Sequence, residues 1–268
     1  MASGSATTSS DPFAARFAAL QARGRRALVV YCTAGYPDAD RSLALLQGAE
    51  AAGADVIEVG VPFSDPMADG PIIQASSQRA LELGMTFDKA LSLITRAKLA
   101  APVVLFTYLN PLLAAGDDAL RRAAEAGAHG VLVTDLPVGA DPEREARIAA
   151  SPLAFIRLVA PTTPAARMAH IARHAGGFVY VISRLGVTGV REGIAADLPD
   201  TIARLRGVTR LPVCVGFGIS TPEHAAAAGR LADGVVVGSA VVRAAGEPHG
   251  VDAALRLVRT LRAGLDAG

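Results

Sequence analysis

Tryptophan is absent from the 268 residues, aromatic residues make up only 4% of them, and lysine occurs only at Lys89 and Lys98. With few aromatic faces to stack on and a formal net charge of +1, the chain lacks both the stacking platform and the basic field that nucleic-acid binding requires. There are two cysteines, Cys32 and Cys214. Each sits inside an apolar, strand-like run, where a small buried thiol is expected rather than a disulfide or a metal ligand. No uninterrupted apolar stretch reaches the roughly 18 residues of a membrane span. The N-terminus has neither the basic start nor the apolar stretch of a secretory signal, so a cytoplasmic location is expected. Residues 1–10 are small and polar and are expected to form a disordered tail outside the fold.

What the chain does contain is apolar surface to bury: 51% of residues are hydrophobic against 19% charged, with a mean hydropathy of +0.36. A chain of this length fits one α/β barrel, so residues 11–268 are expected to form a single domain. Runs rich in β-branched residues and bounded by Gly or Pro mark strands near 27–33, 55–60, 102–107, 130–135, 153–159, 178–183, 212–216 and 233–237. Between them, segments rich in Ala, Leu and Arg at 39–52, 71–98, 117–127, 140–150, 164–175, 197–206 and 221–230 are long enough for crossover helices. An extra helix over 11–23 starts at Asp11-Pro12, an N-cap followed by proline at the first helical position. A closing helix is expected over 250–265. This alternation predicts a TIM (β/α)8 barrel, with a doubly wound sheet as the competing arrangement.

In a barrel the C-terminal strand ends converge on one site. Near those ends lie Thr33, Glu58, Tyr108, Asp135, Tyr180, Gly216 and Gly238. The run Glu58-Val-Gly-Val-Pro-Phe-Ser-Asp-Pro-Met-Ala-Asp-Gly70 is the most informative. Glu58 interrupts an apolar strand, where burial raises a carboxyl pKa unless a partner supports the anion. Asp65 and Asp69 follow in a Gly/Pro-punctuated loop that can aim a carboxylate into a cleft. One acid and one base can thus face a shared substrate. The plainer alternative is a pair of turn-forming aspartates and an ion-paired core glutamate.

Small-residue turns at Gly186-Val-Thr-Gly189, Gly216-Phe-Gly-Ile-Ser220 and Gly238-Ser239 offer unobstructed backbone N–H groups. The last two fall after strands seven and eight, where barrels often bind phosphate with a short extra helix, here starting at Gly238-Ser239. The alternative is ordinary tight turns. His170 and His174 are spaced for a metal on one helix but have no third ligand, and are expected to be exposed. Arg121-Arg122 and the pair Arg144 and Arg147 are expected on solvated faces. Asp135 either supports the neighbourhood of Glu58 or simply ends the fourth strand.

The Glu58–Pro71 run, with Tyr108-Leu-Asn-Pro111, Asp135-Leu-Pro137, Ser183-Arg-Leu-Gly-Val-Thr-Gly189 and Gly216-Phe-Gly-Ile219, resembles the tryptophan synthase alpha subunit family over nearly the whole chain. The resemblance implies retro-aldol cleavage of indole-3-glycerol phosphate to indole and glyceraldehyde 3-phosphate, with no metal or organic cofactor in this subunit. Glu58 then corresponds to the acid that protonates indole C3, and Asp69 to the partner of the indole N1–H. Tyr180 would orient Glu58 or substrate, and Tyr31 and Phe106 would wall the indole pocket. Gly189, Gly218, Gly238 and Ser239 would hold the phosphate, and Thr188 would lie on a closing loop. Pro62, Asp65, Asn110 and Pro111 would meet a beta subunit that carries pyridoxal phosphate, in an alpha2-beta2 heterotetramer. Two other functions stay open at this level: a stand-alone lyase releasing free indole, and an inactive barrel that regulates a beta-like partner.

Overall fold

The computed structural model of the chain describes residues 11–182, 197–216 and 218–268. The expected tail over residues 1–10, and the loop carrying Thr188 and Gly189, lie outside the described residues.

Nine parallel strands are described: β1 (Ala27–Thr33), β2 (Val56–Gly60), β3 (Val103–Thr107), β4 (Gly130–Val133), β5 (Ala154–Phe155), β6 (Arg157–Val159), β7 (Val179–Ile182), β8 (Val213–Gly216) and β9 (Gly234–Val237). Their order is β5-β4-β3-β2-β1-β9-β8-β7-β6. β5 and β6 are consecutive pieces of a single strand, interrupted at Ile156, which bonds β4 with its first half and β7 with its second. The Ile156 N–H still donates to the Val131 carbonyl at 2.9 Å. The strand expected over 153–159 is therefore split in its hydrogen bonding but fills one place in the ring. The sheet is an eight-position barrel, and the doubly wound alternative falls.

Because strand side chains alternate, one parity of every strand points into the barrel. Ala27, Val29, Val56, Val104, Leu132, Ile156, Cys214 and Val236 form that inner core. Helix α1 (Pro12–Gln21) caps the N-terminal end by adding Phe13, Phe17 and Leu20 to the same cluster. Phe13 meets Phe178 edge to face with ring centroids 5.9 Å apart. The Asp11 side chain accepts the Phe13 N–H at 2.9 Å, and Pro12 opens the helix, as expected from the sequence.

The crossover helices are α2 (Ala39–Ala51), α3 (Pro71–Glu82), α4 (Phe87–Ala97), α5 (Leu109–Ala114), α6 (Ala119–Glu125), α7 (Pro142–Ala149), α8 (Ala165–Arg173), α9 (Leu198–Arg206) and α10 (Pro222–Gly229), followed by α11 (Ser239–Ala245) and α12 (Gly250–Ala267). The single helix expected over 71–98 is two. Gly84 takes φ +76°, the left-handed conformation that ends a helix, and the Thr86 hydroxyl accepts the Lys89 N–H at 3.3 Å to start the next. Helix α5 was not expected; the Asp135 carboxylate accepts the Leu109 N–H at its start, at 2.7 Å. Asp135 is exposed and lies past the end of β4, so it terminates that strand and caps α5 rather than supporting Glu58.

The C-terminal helix is tied to the barrel by a buried ion pair. Arg262 donates to Asp55 at 3.0 Å and to the Arg26 carbonyl at 2.9 Å, and Asp55 also accepts the Leu28 N–H at 2.9 Å. Cys32 and Cys214 are buried and unpaired, and burial pushes the Cys32 thiol up to about 12. His170 is half-buried and His174 exposed, with ring centroids 4.7 Å apart, and among the described residues no group of three His, Cys, Asp or Glu could hold a metal ion. Among the described residues no helix is long and apolar enough to cross a membrane.

Candidate active site

The inward parity that builds the core continues toward the C-terminal strand ends, and there its chemistry changes. Past Val29 comes Tyr31, past Val56 comes Glu58, past Val104 comes Phe106, past Phe178 comes Tyr180, and past Val236 comes Gly238. These residues line a cavity of about 690 Å³ together with Asp69, Gly218 and Ser239. Eight of the ten catalytic and substrate-contacting positions expected from the sequence thus share one cavity; Thr188 and Gly189 lie outside the described residues.

Glu58 is 1% exposed, and its Oε1 is buried without a hydrogen-bond partner among the described residues. No ion pair reaches it among the described residues. Burial alone lifts its pKa to about 8. Such a shift favours the protonated form at neutral pH.

Asp69 arrives by a different route. The loop after β2 turns twice, with the Met67 N–H donating to the Asp65 carbonyl at 2.9 Å and the Asp69 N–H to the Pro66 carbonyl at 3.0 Å. From α3, Gln74 Nε2 donates to the Asp69 carbonyl at 2.8 Å and fixes the residue just before the helix begins. Burial raises the Asp69 pKa to about 6, and a hydrogen bond from the Tyr108 hydroxyl holds it from going higher. The same hydroxyl accepts the Ala68 N–H at 3.0 Å. Tyr108 therefore holds the loop at Ala68, next to Asp69. Its signal in the sequence was its place directly after the β3 run, which marked it as a strand end without revealing its partner.

Three aromatic rings shape the apolar part of the cavity. Tyr31 and Phe106 meet edge to face with centroids 5.2 Å apart. The Tyr31 hydroxyl lies where a Cβ on Gly60 would be, and the Tyr180 hydroxyl where a Cβ on Gly216 would be. Each tyrosine leans over a glycine at the C-terminal end of the neighbouring strand, which explains why glycine stands at those two strand ends. Ile73, Ile219 and Val236 complete the wall. As apolar residues they carry no sequence signal that separates them from core.

At the far end of the cavity Gly218 takes φ +79°, and Gly238 precedes α11 without any side-chain cap on the helix. The first-turn amides of such a helix are left without intrahelical acceptors. A Cβ on Gly238 would meet only Tyr31, at 3.5 Å or more, so the protein itself leaves room there. That space is open to a ligand. Arg243, on the exposed side of α11, is the one cationic side chain among the described lining residues.

Of the residues expected to meet a partner, Asp65 and Asn110 are exposed and Pro111 is half-buried. Pro62 is buried inside the chain, so it shapes the loop rather than offering contact area. Two large apolar side chains flank the exposed ones: Met67 is 85% and Leu113 45% exposed.

An eight-position barrel with a proton-holding carboxyl and an ionisable one facing a single cavity at its C-terminal strand ends belongs to the class of acid–base TIM-barrel enzymes. The profile of the family described as tryptophan synthase alpha chain matches residues 17–263. The tryptophan synthase alpha chain of Gluconacetobacter diazotrophicus is 49% identical over 233 residues, which cover 85% of either chain. Among solved structures, the tryptophan synthase subunit alpha of Legionella pneumophila str. Paris superposes with a TM-score of 0.87 at 33% identity, covering 96% of this chain and 99% of that one. The open form of tryptophan synthase from M. tuberculosis with BRD0059 bound gives 0.86 at 34% identity, covering 94% and 98%. The chain belongs to the tryptophan synthase alpha chain family. It is a carbon–carbon lyase of tryptophan biosynthesis that cleaves indole-3-glycerol phosphate to indole and glyceraldehyde 3-phosphate.

Proposed function

We propose that Glu58 and Asp69 carry this cleavage between them, and the observation that supports it is that both carboxyls line one cavity, Glu58 buried with an unpartnered Oε1 and lifted further in pKa than Asp69. Indole is a poor leaving group until C3 is protonated. Protonated Glu58 gives its proton to C3, and ionised Asp69 accepts a hydrogen bond from N1–H as positive charge develops on the ring. The Glu58 carboxylate then takes the proton of the side-chain hydroxyl next to the breaking bond. The C3–C bond electrons return to the ring, the carbonyl of glyceraldehyde 3-phosphate forms, and Glu58 is again protonated. No external oxidant or reductant enters this balance.

The remaining cavity residues fall to binding. Tyr31 and Phe106 wall the indole, Tyr180 orients Glu58 or the substrate, and Gly218, Gly238 and Ser239 receive the phosphate through backbone amides, joined by Gly189 from the loop outside the described residues. Thr188, also outside the described residues, completes the proposed set of substrate contacts. Residues 11–268 act as one catalytic domain in the cytoplasm.

The likeness to tryptophan synthase structures supports a beta partner, and the exposed Met67 and Leu113 beside Asp65, Asn110 and Pro111 supply a surface for it. Pyridoxal phosphate belongs to that partner and not to this chain, and the assembly is an alpha2-beta2 heterotetramer. The deciding experiment is indole formation from indole-3-glycerol phosphate by the purified chain, with and without a beta subunit, beside Glu58→Gln and Asp69→Asn. Strong activation by beta with loss in both variants supports the reading. Equal turnover without beta favours a stand-alone lyase, and turnover in neither condition leaves an inactive regulatory barrel.

A further inference from the structure

One face of α11 lines the cavity and the other belongs to the core. Ser239, Ala240, Arg243 and Ala244 border the open space, while Val241, Val242 and Ala245 are buried. Positions i and i+4 of a helix share a face and lie about 6 Å apart along its axis. Arg243 therefore stands one turn beyond Ser239 on the same wall. Helical side chains lean toward the N-terminus and cover the preceding turn, so the long Arg243 side chain is carried back toward Ser239 and Gly238. Ala240 and Ala244 beside it are too short to occupy the space it crosses.

The charges on the cavity wall give that placement a meaning. Among the described lining residues the ionisable acids and bases with a side-chain charge are Glu58, Asp69, Arg243 and Glu247. Glu58 and Asp69 come from β2 and the loop after it, and Glu247 lies past the end of α11. Without Arg243 the described wall holds carboxyls alone, which would oppose entry of an anion. Arg243 is exposed and takes part in no ion pair among the described residues, so its charge is not already neutralised there. A phosphate monoester carries a charge of about −1.5 to −2 near pH 7. The backbone amides of Gly218, Gly238 and Ser239 can donate hydrogen bonds to it but bring no net charge. We propose that Arg243 is a specificity-determining residue for the phosphorylated substrate: its guanidinium supplies the positive charge that pairs with the phosphate held at the start of α11. This rests on the placing of the phosphate at Gly218, Gly238 and Ser239. A forked guanidinium also suits two phosphate oxygens at once, which a backbone amide does not.

The role is one of binding and not of chemistry, so it separates KM from kcat. Both are measured for indole formation from indole-3-glycerol phosphate with the beta subunit present, for the wild type, Arg243→Gln, Arg243→Lys and Gly238→Ala, beside the Kd for free indole. Arg243→Gln should raise KM by about fivefold, the scale of an exposed ion pair, with kcat and the indole Kd unchanged. Arg243→Lys, which keeps the charge and loses the fork, should fall between Arg243→Gln and the wild type. The gap between Arg243→Gln and the wild type should close in roughly 1 M salt, where the Debye length falls to about 3 Å. A KM that ignores Arg243→Gln while Gly238→Ala raises it overturns the proposal and leaves the phosphate site standing. A loss in kcat or in indole binding, or a KM defect that persists in salt, overturns it in favour of a structural role for Arg243. If Gly238→Ala leaves KM unchanged, the placing of the phosphate fails, and the proposal falls with it.

Discussion

Glu58 and Asp69 line one cavity yet are pushed apart in pKa: burial lifts Glu58 to about 8 but Asp69 only to about 6. The difference follows from their surroundings. Glu58 stands within a strand with no partner for Oε1 among the described residues, whereas Asp69 sits in a loop beside the Tyr108 hydroxyl. The active form needs the first protonated and the second ionised, so kcat/KM should describe a bell with limbs near those two values. Asp69→Asn should abolish the acid limb and Glu58→Gln the alkaline one. Each should lower turnover by roughly 10²–10⁴-fold. A stopped or continuous indole assay across pH 5–9 measures both; a profile flat from pH 5 to 9 in the wild type would contradict the assignment.

The same burial has a cost in stability. A carboxyl whose folded pKa lies above its unfolded value binds more protons in the native state between those values, so stability falls as pH rises through that window. For Glu58 the window runs from the usual carboxylate range up to about 8. Glu58→Gln keeps the shape and removes the charge. It should therefore melt with the wild type near pH 4 and above it near pH 8, by about 2–4 °C for each kcal/mol of relief. Thermal melts at the two pH values check this, and an inactive variant that is also more stable would identify Glu58 as a residue retained for chemistry.

Gly238 gives a steric test of the phosphate end. Its φ of −117° is available to any residue, and an added Cβ meets nothing in the protein closer than 3.5 Å. Gly238→Ala should therefore fold with unchanged melting temperature. If the substrate phosphate packs on that backbone, KM for indole-3-glycerol phosphate should rise by about tenfold, or roughly 1.4 kcal/mol of binding, while binding of free indole should not change. Titration with indole and steady-state kinetics with the phosphorylated substrate separate the two ends of the cavity.

Much of this site is legible in the sequence because the barrel turns a period of two into a geometry. Once Val56 faces inward, Glu58 does too, and the polar residue breaking the apolar run becomes a cavity residue. The loop position of Asp69 and the glycines after β8 and β9 follow from the same strand boundaries. What the strand pattern does not reveal is pairing between distant segments. Nothing local tells that Tyr108 holds the Ala68 N–H beside Asp69, that Asp135 caps α5, or that Thr33 and Ser76 meet across β1 and α3. The break at Ile156 is equally hidden, since it arises where one strand exchanges β4 for β7 as its bonded neighbour. The division of 71–98 into two helices was readable from Gly84 followed by Thr86, a helix stop and a helix start, but the continuous Ala/Leu pattern outweighs them when only periodicity is counted.

The clasp between Arg262 and Asp55 offers a test far from the cavity. Both side chains are buried, and Asp55 also accepts the Leu28 N–H, so the pair joins α12 to β1 and to the start of β2. Burial raises the Asp55 pKa even with the guanidinium beside it, which shows that desolvation outweighs the attraction. Breaking such a pair from one side leaves a charge buried alone and costs about 3–5 kcal/mol. Replacing both partners removes that orphan charge. Arg262→Leu should therefore lower the denaturant midpoint sharply, and Arg262→Leu combined with Asp55→Asn should lose less than the sum of the two single changes. The double-mutant cycle measured by urea unfolding gives the coupling directly. Indole formation by the folded fraction should stay close to wild type throughout, because neither residue reaches the cavity; a loss of specific activity in step with the stability loss would mean that α12 also fixes the geometry of the site.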